Sequence, residues 1–204
     1  MVGNFLYLDM KIQLLILILS GFCATSQSLE KLKSETKKLH DANYTMDFDG
    51  IARLTYPKVY ESKGIAAFTE KLDSDYANNE FRKRLEIVDP FFVYSELKVI
   101  NGKKFCVISY KNPVRYFFES KMDGAIAQQK ASSLKSGVMA YEVVVEPKRN
   151  SINVKRNSKF IAISDENTHG EWRFFNFDDV SQRELFEALF DINVKKALGL
   201  STEN

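Results

Sequence analysis

The sequence predicts an α+β fold in which N-terminal helices pack on a curved antiparallel sheet. Apolar residues recur every three or four positions as far as residue 76, and mostly every second position in the segments that follow. Sixteen Phe and nine Tyr, against nine Gly and four Pro, also favour strands. The chain has 204 residues, of which 45% are hydrophobic and 27% charged, so it is long enough for one domain with a hydrophobic core.

Residues 1–26 have the layout of a secretory signal peptide. In "MKIQLLILILSGFCATS", a lysine follows Met10, and a short apolar run leads to small residues. We expect translation from Met10 and cleavage after Ser26, which leaves one mature domain over residues 27–204. The apolar run is too short to span a bilayer comfortably. The protein is therefore expected to be periplasmic or extracellular, without stable membrane insertion.

Cysteine placement supports the same interpretation. Lipid anchoring at Cys23 is the weaker alternative, because Phe22 occupies the position where a lipoprotein signal has a small residue. Cleavage would leave Cys106 as the single cysteine, with no internal disulfide. Its alternating surroundings, "KKFCVISY", predict a buried and unreactive thiol.

Three helices are predicted before the sheet. Apolar spacing predicts the first over residues 28–46. Asp47 is placed to cap a short second helix, which Pro57 ends. The third covers residues 64–76, and four of its side chains are expected to face inward: Ile65, Phe68, Leu72 and Tyr76.

Strands are predicted from residue 80 onward. Segments 80–90 and 91–100 precede Asn101–Gly102, the strongest hairpin signal in the chain. The returning segment, 103–118, contains Pro113, which predicts an edge or a bend. The later segments are, in order, a helical or irregular connection over 122–137, a strand over 138–146, a strand or bent pair over 152–164, a strand over 171–177 and a helix over 181–190 that Ser181 caps with Glu184.

Two stretches of the sequence resemble the nuclear transport factor 2-like superfamily. "LHDANYTMDFDGIARLTYPKVYE" (39–61), followed by "GIAAFTEKL" (64–72), is similar to the opening helices of that superfamily, and "SKFIAISDENTHGEWRFFNFDD" (158–179) resembles its last hairpin. The mature chain is similar to small exported bacterial proteins of that superfamily that have no assigned function. The resemblance implies a cone between helices and sheet, which forms a pocket unless side chains fill it, and segment 119–137 could cap its open end.

The superfamily contains isomerases, dehydratases and cargo binders, so the resemblance leaves the activity open. His40 and Tyr44 share a helix face and, with Tyr56 or Tyr60, could line a pocket. His40 is the one weak candidate for a general acid or base. Trp172 could form a ligand platform, although an aromatic residue on such a strand more often packs in the core.

Other classes of site are disfavoured. Asp47, Asp49 and Gly50 suggest a Ca²⁺ loop, but its twelfth position would be Tyr56, and no Zn²⁺ spacing or cofactor motif is present. The net charge of +2, with only short Lys/Arg runs, argues against nucleic acid. No metal or cofactor is expected.

Three functions stay open on the sequence. An exported, non-catalytic binding or interaction module, with a small ligand or protein segment as partner, is favoured because no catalytic constellation is present. An isomerase or lyase would use His40 with a pocket tyrosine. A homodimer through the sheet face would be favoured by exposed aromatic residues in segments 91–100 and 171–177.

Overall fold

A computed structural model describes residues 28–138 and 140–200. The predicted signal peptide, with Met10 and Cys23, lies outside the described residues. The chain divides into two compact units, residues 1–38 and 39–204. In the first unit, the described residues form a helix with ion pairs between Glu30 and Lys33 and between Glu35 and Lys38.

The helices before the sheet follow the predicted pattern. Helix α1 occupies residues 28–45, and its residues from Leu39 onward belong to the second unit. Helix α2 is Phe48–Leu54, and its N-cap Asp47 accepts a hydrogen bond from the backbone N–H of Gly50 at 2.8 Å, as predicted. Helix α3 is Gly64–Tyr76. Its buried stripe begins at Phe68, so Ile65, which was predicted to face inward, is half exposed.

The strands form two antiparallel sheets. One has the order β1 (Phe81–Leu85), β5 (Val114–Phe118), β7 (Ser151–Lys155), β6 (Glu142–Glu146). The other has the order β2 (Val93–Tyr94), β4 (Lys103–Lys111), β8 (Asn157–Ser164), β9 (Arg173–Asn176), and β3 (Lys98–Ile100) also pairs with β4. The predicted hairpin joins β3 to β4, where Asn101 and Gly102 both have positive φ. This α+β architecture agrees with the predicted fold class.

The two sheets are halves of one bent antiparallel ladder. Only Asn112 and Pro113 separate β4 from β5, and only Arg156 separates β7 from β8. The pairs Lys111↔Asn157 and Val114↔Val154 keep the same register on both sides of this break. The backbone N–H of Asn112 donates to the carbonyl of Arg156 at 2.9 Å, so the ladder continues through the bend. Pro113 therefore marks a bend, as predicted.

Further helices cover the ladder. Helix α5 (Val180–Leu189) and helix α6 (Ile192–Ala197) pack on the face of the second sheet that carries Phe105, Ile161 and Phe175. Helix α4 (Gly124–Gly137) packs on the first sheet, with Ala131 in a cluster of buried residues from β5 and β7.

The cap of α5 was predicted wrongly. Asp179, not Ser181, is the N-cap, and its carboxylate accepts from the backbone N–H groups of Ser181 and Gln182. Ser181 already lies inside the helix, because the carboxylate two residues earlier can reach the first free N–H groups.

Candidate functional site

A cavity of about 300 Å³ lies where the ladder bends, within the second unit. The strands provide its floor, and α1, α3 and the connection from β9 to α5 provide its walls. Its lining mixes apolar side chains with three tyrosines, three cationic groups and three aspartates. We treat this cavity as the candidate site, because a concave, partly apolar space with a few converging polar groups is the usual form of a small-molecule site.

Lys83 reaches the cavity because of the two-residue period of β1. Successive side chains of a strand point to opposite faces, so Phe81, Lys83 and Leu85 share one face. Phe81 and Leu85 pack against the buried cluster under α4, so this face is the inner one. Lys83 pairs in register with Tyr116 of β5, which also lines the cavity.

The Lys83 ammonium has an aromatic neighbour and, among the described residues, no acidic partner. Its Nζ lies 4.3 Å from the ring centroid of Tyr76. Across residues 28–138 and 140–200, no carboxylate forms an ion pair with it. Burial, followed by the nearby charge of Arg156, lowers the pKa of Lys83 from 10.5 to about 8. The folded protein thus holds an ammonium group with unused hydrogen-bonding capacity.

Arg156 is partly paired. It is the residue at the bend between β7 and β8, and its Nη2 lies 3.1 Å from Oδ2 of Asp178. Asp178 also accepts a hydrogen bond from the Ser158 hydroxyl. The Arg156 Nε is buried and has no hydrogen-bond partner among the described residues. Because an unpaired buried donor costs free energy, this atom is a second candidate for ligand contact.

Lys71, the third cationic group, is fully engaged. Its Nζ lies 2.6 Å from Asp75 Oδ2 and 3.0 Å from Asp179 Oδ2. Burial acts to lower the pKa of Lys71, but the hydrogen bonds to Asp75 and Asp179 raise it above its ordinary value. Lys71 therefore ties α3 to the start of α5 and has little capacity left for a ligand.

The three cavity tyrosines differ in their hydroxyl partners. The Tyr76 hydroxyl donates to Oδ1 of Asn43 at 2.9 Å. The Tyr110 hydroxyl is hydrogen-bonded to Ser158, and its ring stacks on that of Phe160 with 4.6 Å between centroids. The Tyr116 hydroxyl makes no hydrogen bond within the part of the chain that the structure describes. Burial raises the pKa of Tyr116, so its hydroxyl stays protonated and can donate.

Of the residues proposed from the sequence, His40 lines the cavity. Its ring meets those of Phe92 and Tyr110 edge-on, with centroids 5.6 and 6.1 Å away. His40 Nδ1 lies 3.9 Å from Asp41 Oδ1, beyond the reach of about 3 Å that a positioned acid or base needs. The ring contacts favour a packing role for His40.

The other four proposed residues do not line this cavity. Tyr44 is exposed, and the Tyr60 ring packs on Phe68. Trp172 is only 2% exposed and lies in the core. Tyr56 belongs to a different polar cluster.

That cluster is centred on the carboxylate of Asp165. The Tyr56 hydroxyl donates to Asp165 Oδ2 at 2.8 Å, and the backbone N–H of Thr168 donates to Oδ1 at 3.1 Å. The Asn167 amide donates to the Tyr56 hydroxyl at 3.0 Å, and Lys103 Nζ lies 3.7 Å from Oδ2. Burial, followed by the hydrogen bond to Asp165, raises the pKa of Tyr56.

The sequence reasoning missed Lys83 and Arg156. One signal was available for Lys83. In "FRKRL", every second residue lies on the same face of the strand, so Lys83 shares a face with Phe81 and Leu85. A charged residue on the otherwise apolar face of a strand indicates either an error in the strand assignment or a functional group. Arg156 carried no such signal, because its position depends on the bend.

The described residues contain no candidate metal site and no candidate membrane-spanning helix. Over residues 28–138 and 140–200, no group of three or more His, Cys, Asp and Glu side chains is arranged to hold a metal ion. No helix in these ranges is both long and apolar enough to cross a membrane. No protein-family model and no curated protein matches the chain.

Proposed function

We propose that this protein is a non-catalytic binding module that holds a small ligand in the cavity at the bend of the ladder. The observation that carries the proposal is a pair of donors in the cavity lining that have no hydrogen-bond acceptor among the described residues: the half-buried Lys83 Nζ and the buried Arg156 Nε. A folded protein rarely leaves such groups without partners. A ligand that accepts hydrogen bonds from them would compensate the cost of their burial.

The same proposal includes membership of the nuclear transport factor 2-like superfamily and export. Support for membership comes from the resemblance of residues 39–61 and 158–179 and from the order of three helices before a bent antiparallel ladder. Support for export comes from the pattern of residues 10–26. Intact mass of the protein recovered outside the cytoplasm should correspond to a chain that begins at Gln27, and a lipid-modified Cys23 would contradict this.

The binding proposal is tested with a variant that obstructs the cavity. Val180 lines the cavity and is half exposed, so Val180→Trp should fill the space without disturbing the core. Val144→Trp is the matched control, because Val144 is similarly exposed on β6 and lies outside the cavity. We expect small-molecule fragments detected by saturation-transfer NMR to bind the wild type and Val144→Trp, and to lose binding in Val180→Trp. Equal binding to all three proteins would contradict the proposal.

A homodimer is the second candidate, through a sheet edge in place of the predicted sheet face, because the aromatic residues Trp172, Phe174 and Phe175 are buried. The β9 edge is covered, because the backbone N–H of Tyr56 donates to the carbonyl of Phe174. The opposite edge, at β2 and β3, has no further strand among the described residues, and it exposes Phe91, Val93 and Val99. An open edge with apolar side chains favours pairing with a second copy.

Sedimentation at several protein concentrations tests this candidate. If the edge forms a dimer, Val93→Lys should shift the protein to monomer, whereas Val144→Lys on the other sheet should not. A wild type that stays monomeric at high concentration would exclude the dimer.

A further inference from the structure

We infer that the ligand of the cavity is a small monocarboxylate with an apolar body about one ring in size, and that Lys83, assisted by Arg156 and Tyr116, binds its carboxylate. The inference rests on the proposed binding function and specifies its ligand class.

The distribution of charge in the cavity supports a single negative charge. The lining contains three cationic groups and three aspartates, but they are unevenly paired. Asp75 and Asp179 both bind Lys71, and Asp178 binds Arg156. Lys83 is left as the cation without an ion pair in the described ranges, and it lies beside a second cation, Arg156. The lining as a whole is balanced, three positive charges against three negative ones, but Lys83 and Arg156 together face only Asp178. One ligand anion would neutralise this local excess of one positive charge, whereas a dianion would bring excess negative charge close to the aspartates.

The available donors suit a carboxylate. Its two oxygens can accept several hydrogen bonds, and the cavity lining has three donors without an acceptor among the described residues: Lys83 Nζ, Arg156 Nε and the Tyr116 hydroxyl. Lys83 and Tyr116 are register partners on adjacent strands, so their side chains emerge side by side. Hydrogen bonds from a cationic donor to a carboxylate are stronger than neutral ones.

The apolar part of the floor sets the size of the body. Leu85 and Val114 form the next same-face pair along β1 and β5, and both line the cavity. Two residues along a strand span about 7 Å, so an apolar group would lie about 7 Å from the carboxylate. A six-membered ring that carries a carboxylate spans most of this separation and would place its far edge against the apolar pair, and the volume of about 300 Å³ admits a molecule of that size.

Benzoate, benzyl alcohol and inorganic phosphate are the probes, titrated at pH 7 and followed by NMR chemical shifts. Benzyl alcohol keeps the ring without the charge, and phosphate keeps negative charge without the ring. We expect benzoate to bind the wild type at least about tenfold more tightly than either of the other two, as one charge-assisted hydrogen bond provides. Equal affinities for benzoate and benzyl alcohol, tighter binding of phosphate, or no binding of benzoate would overturn the inference.

Lys83→Met tests the assigned residue. Methionine keeps the length and apolar stem of lysine, so benzoate affinity should fall about tenfold or more while that of benzyl alcohol stays unchanged. Lys98→Met on β3 is the control, because Lys98 lies outside the cavity, and it should bind as the wild type does. Lys83→Gln takes the place of Lys83→Met if the latter does not fold. Undiminished benzoate binding by the Lys83 variant would overturn the inference.

Failure of these titrations is distinguishable from failure of the proposed function. If benzoate is not preferred but other fragments bind the wild type and are lost in Val180→Trp, the cavity is a binding site for another chemical class. If Val180→Trp loses nothing, both proposals are wrong.

Discussion

The Asp165 cluster and the Lys83 cavity both place charged groups away from solvent, but they satisfy them differently. Around Asp165, the hydroxyl of Tyr56 and the N–H of Thr168 fill both carboxylate oxygens, and the cluster closes on itself. In the cavity lining, Lys83 Nζ and the buried Arg156 Nε make no hydrogen bond to the described residues, and Asn112 Oδ1 is a buried acceptor without a partner there. A satisfied buried network adds to stability and specificity of the fold, whereas an unsatisfied one costs stability unless a ligand completes it. The first region therefore has a structural role, and the second is where we propose that a ligand binds.

The largest expected effect lies near the closed region. Trp172 follows the turn organised by Asp165 and is only 2% exposed. Trp172→Ala should lower the free energy of unfolding by about 3–5 kcal/mol, the range for large aromatic deletions in cores. Denaturant unfolding followed by circular dichroism measures this. A loss below about 1 kcal/mol would show that Trp172 does not anchor the core.

Lys83→Met should raise the free energy of unfolding, in contrast to Trp172→Ala, which should lower it. Because the pKa of Lys83 falls from 10.5 to about 8 on folding, charged Lys83 costs the folded state up to about 3 kcal/mol at pH 7. The variant should therefore be more stable than the wild type at pH 7. As pH rises through 8 toward 10.5, the folded wild type releases this proton before the unfolded chain does, so the wild type gains stability and the difference shrinks.

Unfolding of both proteins between pH 7 and pH 10 tests the pH dependence. Tyr56 and Tyr76 have raised pKa values and lose their stabilising effect at higher pH, but they act equally in both proteins and cancel in the difference. A difference that does not change with pH would show that Lys83 is not an abnormal titrating group.

A matched pair of tyrosines separates the two regions most directly. Tyr56→Phe removes a donor to the buried Asp165 carboxylate and should cost about 2 kcal/mol, with no effect on benzoate binding. Tyr116→Phe removes a hydroxyl without a protein partner in the described ranges and should change stability by less than about 0.5 kcal/mol, while weakening benzoate binding. If Tyr56→Phe weakened benzoate binding and Tyr116→Phe lowered stability, the assignment of different roles to the two regions would be wrong.

The smallest effect is expected at Cys106. Its side chain is fully buried, and burial raises the pKa of the thiol, so little thiolate is available. Thiol reagents should modify Cys106 slowly in the native protein and rapidly in denaturant, as measured by peptide mass mapping. Benzoate should not change the native rate. Rapid native labelling would contradict the burial.

Much of the fold was predictable because it depends on local signals. Asp47 caps α2, Asn101–Gly102 forms the hairpin, and Pro113 marks the bend, each for reasons visible within a few residues. The N-cap of α5 was predicted wrongly because Asp179 and Ser181 lie two residues apart and both can accept hydrogen bonds from the first N–H groups of a helix. The local sequence does not show which of the two does so. Burial of Cys106 and Trp172 was also correctly predicted.

The candidate site was less predictable, because it forms from residues far apart in the chain. Lys83, Arg156 and Asp178 come from three separate segments, and only the bend of the ladder brings them together. The aromatic and histidine residues singled out from the sequence were common types for a site, but four of the five lie elsewhere. The alternation of side chains along β1 was the one local indication of the site, and it applied to Lys83 alone.

The unbroken register through the bend limits how this protein can diverge. Loss of a single residue from 103–111 would turn every later side chain of that strand to the opposite face, so that core positions and cavity positions would exchange roles. Residues 120–138, which contain α4, pair with no strand of the ladder and are free of that constraint, whereas β6 is held in register by β7. Evolution can therefore lengthen or shorten the α4 segment, which touches the cavity only at Val138, while the floor that carries Lys83 and Tyr116 stays fixed.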